Sequence, residues 1–242
     1  MTLAEDNQIP DHQSEAYVLT DISKMSGSLA QRVYESLREA ILGMHLPPGA
    51  MLKKQQICEQ LGVSRSPVTE AITKLAGEGL VEVIPQSGSR VTKFSMSEIR
   101  EGAFLREAIE LAAVCKVAAE RTEDQMAELN RNLRLQALYL EDNDENGFYR
   151  EDERMHELIL EFTGFPKLNQ LAATGWIQVN RARLLLLPMK GRARAAYAEH
   201  AVIIEAIRNR DPDGARRALQ HHLSELVARM EPLAEERPDL FI

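Results

Sequence analysis

Four side chains in the second half of the sequence are of types that bind transition metals. Asp152 and His156 are four positions apart, so on a helix they project from the same face. His200 and His222 each lie on a stripe of aliphatic residues, and we expect both to point into a helical core. Imidazole and carboxylate ligands suit Zn²⁺, Ni²⁺, Fe²⁺ or Mn²⁺. One aspartate and three histidines therefore predict a divalent metal site, with zinc as the first choice.

Three other interpretations of these residues stay open at this point. A histidine that faces inward is, taken singly, more often a buried hydrogen-bonding group than a metal ligand. A bound metal could serve a hydrolase with Glu157 as general base, although Glu157 lies about 100° around a regular helix from the face of Asp152 and His156. A closed site with four protein ligands would be structural, whereas an open site could bind a small molecule.

Arg106, in the segment FLREAIELAA, is a candidate for binding an acidic ligand, because a guanidinium can hold a carboxylate through two hydrogen bonds. Its alternative role is an ion pair with Glu110, one turn later on the same helix. Arg181 and Arg183 lie on an otherwise apolar segment that ends in four leucines, and they are further candidates for the same pocket.

The residues that carry this chemistry fall on a series of amphipathic segments, which predicts an all-helical domain over residues 96–242. Gly147, Pro166 and Pro188 are among the residues that separate the segments. The expected bundle has six helices, at about 97–119, 122–142, 147–163, 165–187, 192–209 and 212–231.

The preceding segment, residues 28–95, has a different pattern. Apolar residues recur every fourth position from Leu29 to Ile41 behind Ser28, which predicts a capped helix. Two shorter helical segments follow, KKQQICEQLGV and SRSPVTEAITKLAGEGL, and then two β-rich runs at 81–84 and 90–92. This order predicts a winged helix-turn-helix, so the fold class is mainly α. Residues 1–27 are expected to be a flexible polar tail.

A winged helix-turn-helix binds DNA by placing the N-terminus of its third helix in the major groove. Arg65 is our candidate for a base contact, and Ser64, Ser66 and Thr69 are candidates beside it. The alternative is that the hydroxyls cap a core helix while Arg65 is a solvated charge. Further candidates are Gln55 in the second helix and, on the wing, Gly88 and Arg90.

The net charge of −8 does not exclude nucleic acid as a partner, because the charge is unevenly distributed. Residues 30–95 carry eight Lys and Arg against six acids, whereas residues 1–29 and 96–242 are both acidic. Phosphate binding depends on local positive charge. With only Cys58 and Cys115, no signal peptide and no apolar run of membrane-spanning length, we expect a cytoplasmic protein.

The segment LGVSRSPVTEAITKLAGEGLVEVIPQSGSRV resembles the signature of the GntR-type winged helix. The resemblance implies a dimer that binds a short palindromic operator in double-stranded DNA, with Arg65, Ser66 and Gly88 at positions that commonly meet DNA. Two departures leave the operator sequence undefined. Thr69 stands where the family often has arginine, and Lys54 and Gln55 replace a frequent Glu-Arg pair.

The spacing of the metal-binding residues resembles the FCD effector domain of the FadR-type GntR subfamily. Asp-x-x-x-His, then Glu-His ahead of an Ile/Ala helix, then a histidine near the end of the last helix carry the resemblance. It implies that Asp152, His156, His200 and His222 hold the metal, and that Arg106 matches an arginine which often contacts an acidic effector. We therefore expect a homodimeric, ligand-responsive transcriptional regulator that senses a small carboxylate, and not an enzyme.

Overall fold

The computed structural model of the chain describes residues 17–186, 189 and 191–242, apart from the side chains of residues 173–175. The chain divides into two compact units between Thr92 and Lys93. This division lies three positions before the expected boundary after Ser95, because the second unit begins with a residue that it buries: Phe94 is fully enclosed and lies against Phe241 near the C-terminus.

The first unit is a winged helix-turn-helix. Val33, Leu37 and Ile41 of the first helix are fully buried, as their spacing predicts, and Ser28 caps that helix by accepting a hydrogen bond from the backbone of Gln31. The elements are α1 (Leu29–Leu42), β1 (Met51–Leu52), α2 (Lys54–Leu61), α3 (Arg65–Gly77), β2 (Val81–Ile84) and β3 (Gly88–Val91).

The wing is an antiparallel sheet in the order β1-β3-β2, of which the short strand β1 was not predicted. Gly88 begins β3 opposite Ile84 and has a φ of +114°, a conformation that residues with a Cβ rarely adopt. Glycine at this position is therefore a backbone requirement at the end of the wing turn.

The expected flexible tail needs a correction over the part that the structure describes. Residues 1–16 lie outside the described residues. From Tyr17 onward the chain packs against the winged helix: Ile22 is buried, Tyr17 donates a hydrogen bond to the carbonyl of Met51, and Ser36 donates one to the carbonyl of Thr20. These contacts fix the segment because they bury an isoleucine that the polar composition of the tail concealed.

The second unit is all-helical in its described residues, which confirms the predicted fold class. The single helix expected at 165–187 is two helices, because Trp176 leaves helical geometry (φ −115°) and buries its ring. The helices are α4 (Met96–Glu120), α5 (Glu123–Glu141), α6 (Glu145–Glu161), α7 (Lys167–Gly175), α8 (Ile177–Leu186), α9 (Arg192–Arg208) and α10 (Pro212–Glu236).

The C-terminus returns to the start of this unit. The backbone N–H of Phe94 donates to the carbonyl of Leu240, and that of Ile242 donates to the carbonyl of Phe94. The guanidinium of the fully buried Arg181 lies 4.7 Å from the centre of the Phe94 ring. None of the described helices is both long and apolar enough to cross a membrane.

Candidate functional site

The structure brings the four predicted metal-binding residues together inside the helical unit. Helix α6 contributes Asp152 and His156 from one face, α9 contributes His200, and α10 contributes His222. One potential ligand atom from each residue lies within 4.8 Å of the others, and all four side chains are buried. Helix periodicity predicted the inward direction of each residue, and the packing of three helices supplies their convergence.

The three imidazoles point the same ring nitrogen at a common centre. Nε2 of His222 lies 3.3 Å from Nε2 of His156 and 3.3 Å from Nε2 of His200. Nε2 of His200 also lies 3.1 Å from Oδ1 of Asp152. Atoms bound to one ion at 2.0–2.1 Å lie ~2.9–3.4 Å apart, so these separations are those of ligands around a shared ion.

Each histidine is held from behind through its Nδ1 atom by an oxygen of another side chain. These three partners are Glu110 Oε2 for His156 at 2.7 Å, Gln136 Oε1 for His200 at 2.8 Å and Glu199 Oε2 for His222 at 2.6 Å. The oxygens accept the proton on Nδ1, which leaves the lone pair on Nε2 directed at the centre. Such partners fix the tautomer and orientation of metal-binding histidines.

Gln136 is itself oriented by a chain of hydrogen bonds between α5 and α6. Its Nε2 donates to Oδ1 of Asn132 at 2.8 Å, and Nδ2 of Asn132 donates to the carbonyl and the carboxylate of Glu151 at 2.8 and 2.7 Å. Because the amide nitrogen of Gln136 is engaged in this way, its oxygen faces His200. Glu151, the residue before Asp152, therefore helps to orient His200 on α9 through Asn132 and Gln136.

Burial keeps the imidazoles neutral. It lowers the pKa of His156, and it lowers the pKa values of His200 and His222 well below the usual range. Burial would raise the pKa of Glu110, but the positive charge of Arg106 and the hydrogen bonds from His156 and Arg106 outweigh it and bring the pKa far below its usual range. Neutral imidazoles backed by an ionised carboxylate are in the protonation state that a divalent cation requires.

The donor set therefore fits a divalent transition metal. Three nitrogen lone pairs and one carboxylate oxygen directed at one point would repel one another unless a cation lies between them. Asp152, His156, His200 and His222 are the residues that would hold it. No other cluster of this kind lies among the described residues.

A cavity of about 420 Å³, counting its space open to solvent, borders the cluster. Asp152 and His222 form part of its wall, so the cluster of potential metal ligands borders the cavity. The rest of the wall combines three arginines with aliphatic side chains: Arg106, Arg183, Arg192, Leu186, Ala196, Leu223 and Leu226.

Arg106 forms the ion pair with Glu110 that its sequence allowed, and it also lines the cavity. Its Nε donates to Oε1 of Glu110 at 2.6 Å, and the same side chain lines the cavity. Among the described residues, Nη2 of Arg106 has no hydrogen-bond acceptor although it is buried. Arg183 also lines the cavity and contacts the carboxylate of Asp152, whereas Arg181 contacts Phe94.

Sequence reasoning missed Arg192, Gln136 and Glu199 as parts of the site. Arg192 begins α9 and donates both terminal nitrogens to Glu199, at 2.7 and 3.1 Å. Glu199 precedes His200 in the sequence but hydrogen-bonds to His222. Its position in the sequence therefore did not indicate which histidine it orients. Gln136 is a polar residue that α5 buries. A polar residue on the inward face of a helix was the one signal in the sequence by which it could have been identified.

The predicted nucleic-acid contacts lie on the other unit. Ser64, Arg65, Ser66 and Thr69 are all exposed at the start of α3, whereas Val68 faces the core. Ser64 occupies the N-cap position, yet within the described part of the chain its hydroxyl makes no capping hydrogen bond. The first turn of α3 thus presents hydroxyls, an arginine and free backbone amides to solvent.

Three further predicted contacts flank this turn. Gln55 is exposed on α2 and donates to Glu59 at 2.9 Å. Gly88 is exposed at the tip of the wing, and Arg90 is half-buried and paired across the strands with Glu82. The pairing neutralises part of the charge that Arg90 could offer to a phosphate.

A winged helix-turn-helix followed by a separate helical unit is an architecture of DNA-binding transcriptional regulators. Comparison with known families agrees: residues 29–91 match the pattern of the bacterial regulatory proteins of the gntR family, and residues 101–225 match the FCD domain. The chain belongs to the GntR family of DNA-binding transcriptional regulators and carries an FCD domain.

Its relatives are regulators and not enzymes. The chain is 32% identical over 215 residues to the HTH-type transcriptional repressor RspR of Escherichia coli K12, covering 87% of this chain and 92% of that protein. It is 28% identical to the HTH-type transcriptional repressor NanR of Salmonella enteritidis, with 86% of each chain covered. Glu157, the general base of the hydrolase alternative, is half-exposed and paired with Arg154.

Solved structures share the fold. A GntR regulator from Rhodococcus sp. RHA1 superposes with a TM-score of 0.72 and 25% identity, over 85% of this chain and 99% of that one. McbR/YncC of E. coli superposes with a TM-score of 0.73 and 22% identity, over 86% and 99% of the two chains.

Proposed function

We propose that this regulator senses a small organic acid through a metal held by Asp152, His156, His200 and His222, and that the acid changes its affinity for an operator. One observation carries the proposal: the buried cluster faces a cavity whose wall also contains Arg106. A structural metal would need only a closed set of ligands, whereas two members of this cluster, Asp152 and His222, also line a cavity.

The acid would bind to two positively charged groups, the metal and Arg106. When bound, the metal supplies a Lewis acid that attracts a carboxylate or hydroxyl oxygen. Arg106 is positioned for the same anion, because it lines the cavity and its buried Nη2 has no acceptor among the described residues. A carboxylate would supply the missing acceptor. His222 and Asp152 contribute both to the metal site and to the cavity wall.

Operator recognition belongs to the winged helix in this proposal. Arg65 at the first turn of α3 reads base edges in the major groove, with Ser64, Ser66 and Thr69 beside it. Gln55, Gly88 and Arg90 contribute contacts to the backbone or minor groove. The protein binds as a homodimer to a palindromic site, because two half-sites multiply both affinity and specificity.

Effector binding changes operator affinity if the acid binds the DNA-competent and DNA-incompetent states with different affinity. Coupling free energies of this kind are typically ~1–3 kcal/mol, which corresponds to a roughly 5- to 150-fold change in operator affinity.

Selection of bound duplexes from a random pool tests the operator half of the proposal. The unmutated protein should enrich a short palindrome, and Arg65→Ala should not, because truncating a base-contacting arginine costs about 1–3 kcal/mol and relaxes specificity. Lys24→Ala removes one exposed positive charge outside α3 and should enrich the same palindrome. Enrichment of an identical sequence by Arg65→Ala would contradict the assignment of Arg65.

A further inference from the structure

Each arginine of the cavity wall is joined to the metal-binding cluster through an acid. Two of the acids orient histidines of the cluster, and the third is itself a predicted ligand. Every one of these side chains is at least largely buried. The three ion pairs are Arg106–Glu110, Arg192–Glu199 and Arg183–Asp152.

Together the three ion pairs have no net charge in the absence of a metal ion. Three arginines balance three carboxylates, so a divalent metal leaves two positive charges without a partner in buried surroundings. Among the described residues that line the cavity there is no acid besides Asp152. Glu153 lies on the same helix as His156 and raises the pKa of that histidine, but it is half-buried and accepts a hydrogen bond from Asn180. Unpaired buried charge is costly, so an anionic ligand is favoured in proportion to the charge that it brings.

We propose that the effector is a dianion, specifically a short dicarboxylate, and that Arg192 and Arg183 bind its second acidic group. The inference rests on the proposed sensing function and narrows its substrate class. One carboxylate meets the metal and Arg106, and the other meets the two remaining guanidiniums of the wall.

The arginines retain donors for this role. A guanidinium has five N–H groups, and an ion pair with one carboxylate uses at most two or three of them. Arg106 donates to Glu110 through Nε, and its buried Nη2 is without an acceptor among the described residues. A second carboxylate is the group that satisfies such donors best, because both partners are charged.

The remaining wall fits the carbon chain of such a molecule. Leu186, Ala196, Leu223 and Leu226 supply apolar surface in the same wall as the arginines. The wall therefore offers guanidiniums for two acidic groups and aliphatic surface for the short carbon chain that joins them.

The test compares acids of equal carbon number, butyrate with succinate and valerate with glutarate. Calorimetric titration of the full-length, zinc-loaded protein at constant ionic strength gives the affinity of each acid. We expect each dicarboxylate to bind at least about tenfold more tightly than the matched monocarboxylate, because an added hydrogen bond between charged groups contributes that much.

Two variants locate the second acidic group. Arg192→Gln should reduce the preference for succinate over butyrate to about threefold or less, since it removes a charge that only the dicarboxylate meets. Arg194→Gln is the matched control, because Arg194 is exposed on the same helix and lines a different cavity. It should keep the full preference. Competition with a chromophoric chelator then measures whether each variant holds zinc as tightly as the unmutated protein.

The outcomes separate this inference from the function on which it rests. Equal affinity within both acid pairs, with operator binding that responds to them, would overturn the dianion proposal and leave the sensing role standing. Tighter binding of dicarboxylates that is unchanged in Arg192→Gln would overturn the assignment of Arg192. If no acid of either class bound, or none changed operator affinity, the sensing role would be contradicted and the dianion proposal with it.

Discussion

The three histidines of the cluster are kept neutral by burial, and residues outside the cluster orient them. Glu110, Gln136 and Glu199 each hold one Nδ1 atom, so that all three Nε2 lone pairs meet. His156 and His222 are each held by a carboxylate, whereas His200 is held by the neutral amide of Gln136. Because the amide carries no charge, its orientation has to be fixed by other side chains, and Asn132 and Glu151 do this.

Replacement of Gln136 tests this orientation. Gln136→Met keeps the side-chain length but removes the acceptor for His200, and it should weaken zinc binding by about 10- to 100-fold, as loss of an outer partner of a metal ligand typically does. Gln220→Met, at an exposed position on α10, is the control. Competition with a chromophoric chelator measures both. Unchanged zinc affinity in Gln136→Met would show that packing alone orients His200.

At the scale of single residues, the sequence predicted the four members of the cluster and missed their partners, for a physical reason. The types and helical spacing of Asp152 and His156 are local properties, and the inward direction of His200 and His222 follows from their apolar stripes. The partner of each histidine lies 23 to 64 positions away along the chain, so tertiary packing alone decides it.

At the scale of elements, one helix that supports the site has an explicit start signal in the sequence. Helix α5, which carries Asn132 and Gln136, begins with a capping box in which Thr122 and Gln125 satisfy each other's backbone N–H groups. Where such a signal was weak, prediction was wrong: Gly175 was the only sign that α7 ends before Trp176. Burial of the Trp176 ring overrode the helical propensity of the surrounding residues.

The capping box gives a prediction about stability. Thr122→Ala removes the hydroxyl that accepts from the backbone of Gln125, and it should lower the free energy of unfolding of the helical unit by about 0.5–2 kcal/mol. Thr122→Ser keeps an oxygen at the same position and should change stability by less. Urea unfolding of the zinc-loaded protein, followed by circular dichroism, provides the comparison. Equal midpoints for the alanine and serine variants would mean that the cap contributes nothing.

At the scale of the whole molecule, the two units differ in role and in net charge. Residues 30–95 are the basic part of a chain whose net charge is −8, so DNA binding depends on a local surface of the winged helix. The fold class of both units followed from sequence periodicity, because α1 and α3 bury the apolar stripes that their spacing predicts. The position of the division did not, since Phe94 reveals itself as part of the second unit only through its contacts with Phe241 and Arg181.

The most direct measurement of the central claim is operator affinity as a function of effector. Fluorescence anisotropy on the selected palindrome would be recorded with the acid that binds most tightly in calorimetry, for zinc-loaded protein and for protein stripped by a chelator. We predict a roughly 5- to 150-fold change in affinity for the zinc-loaded protein and none for the stripped protein. An operator affinity that stays constant while calorimetry shows the acid bound to the zinc-loaded protein would contradict the proposal that this domain is a sensor.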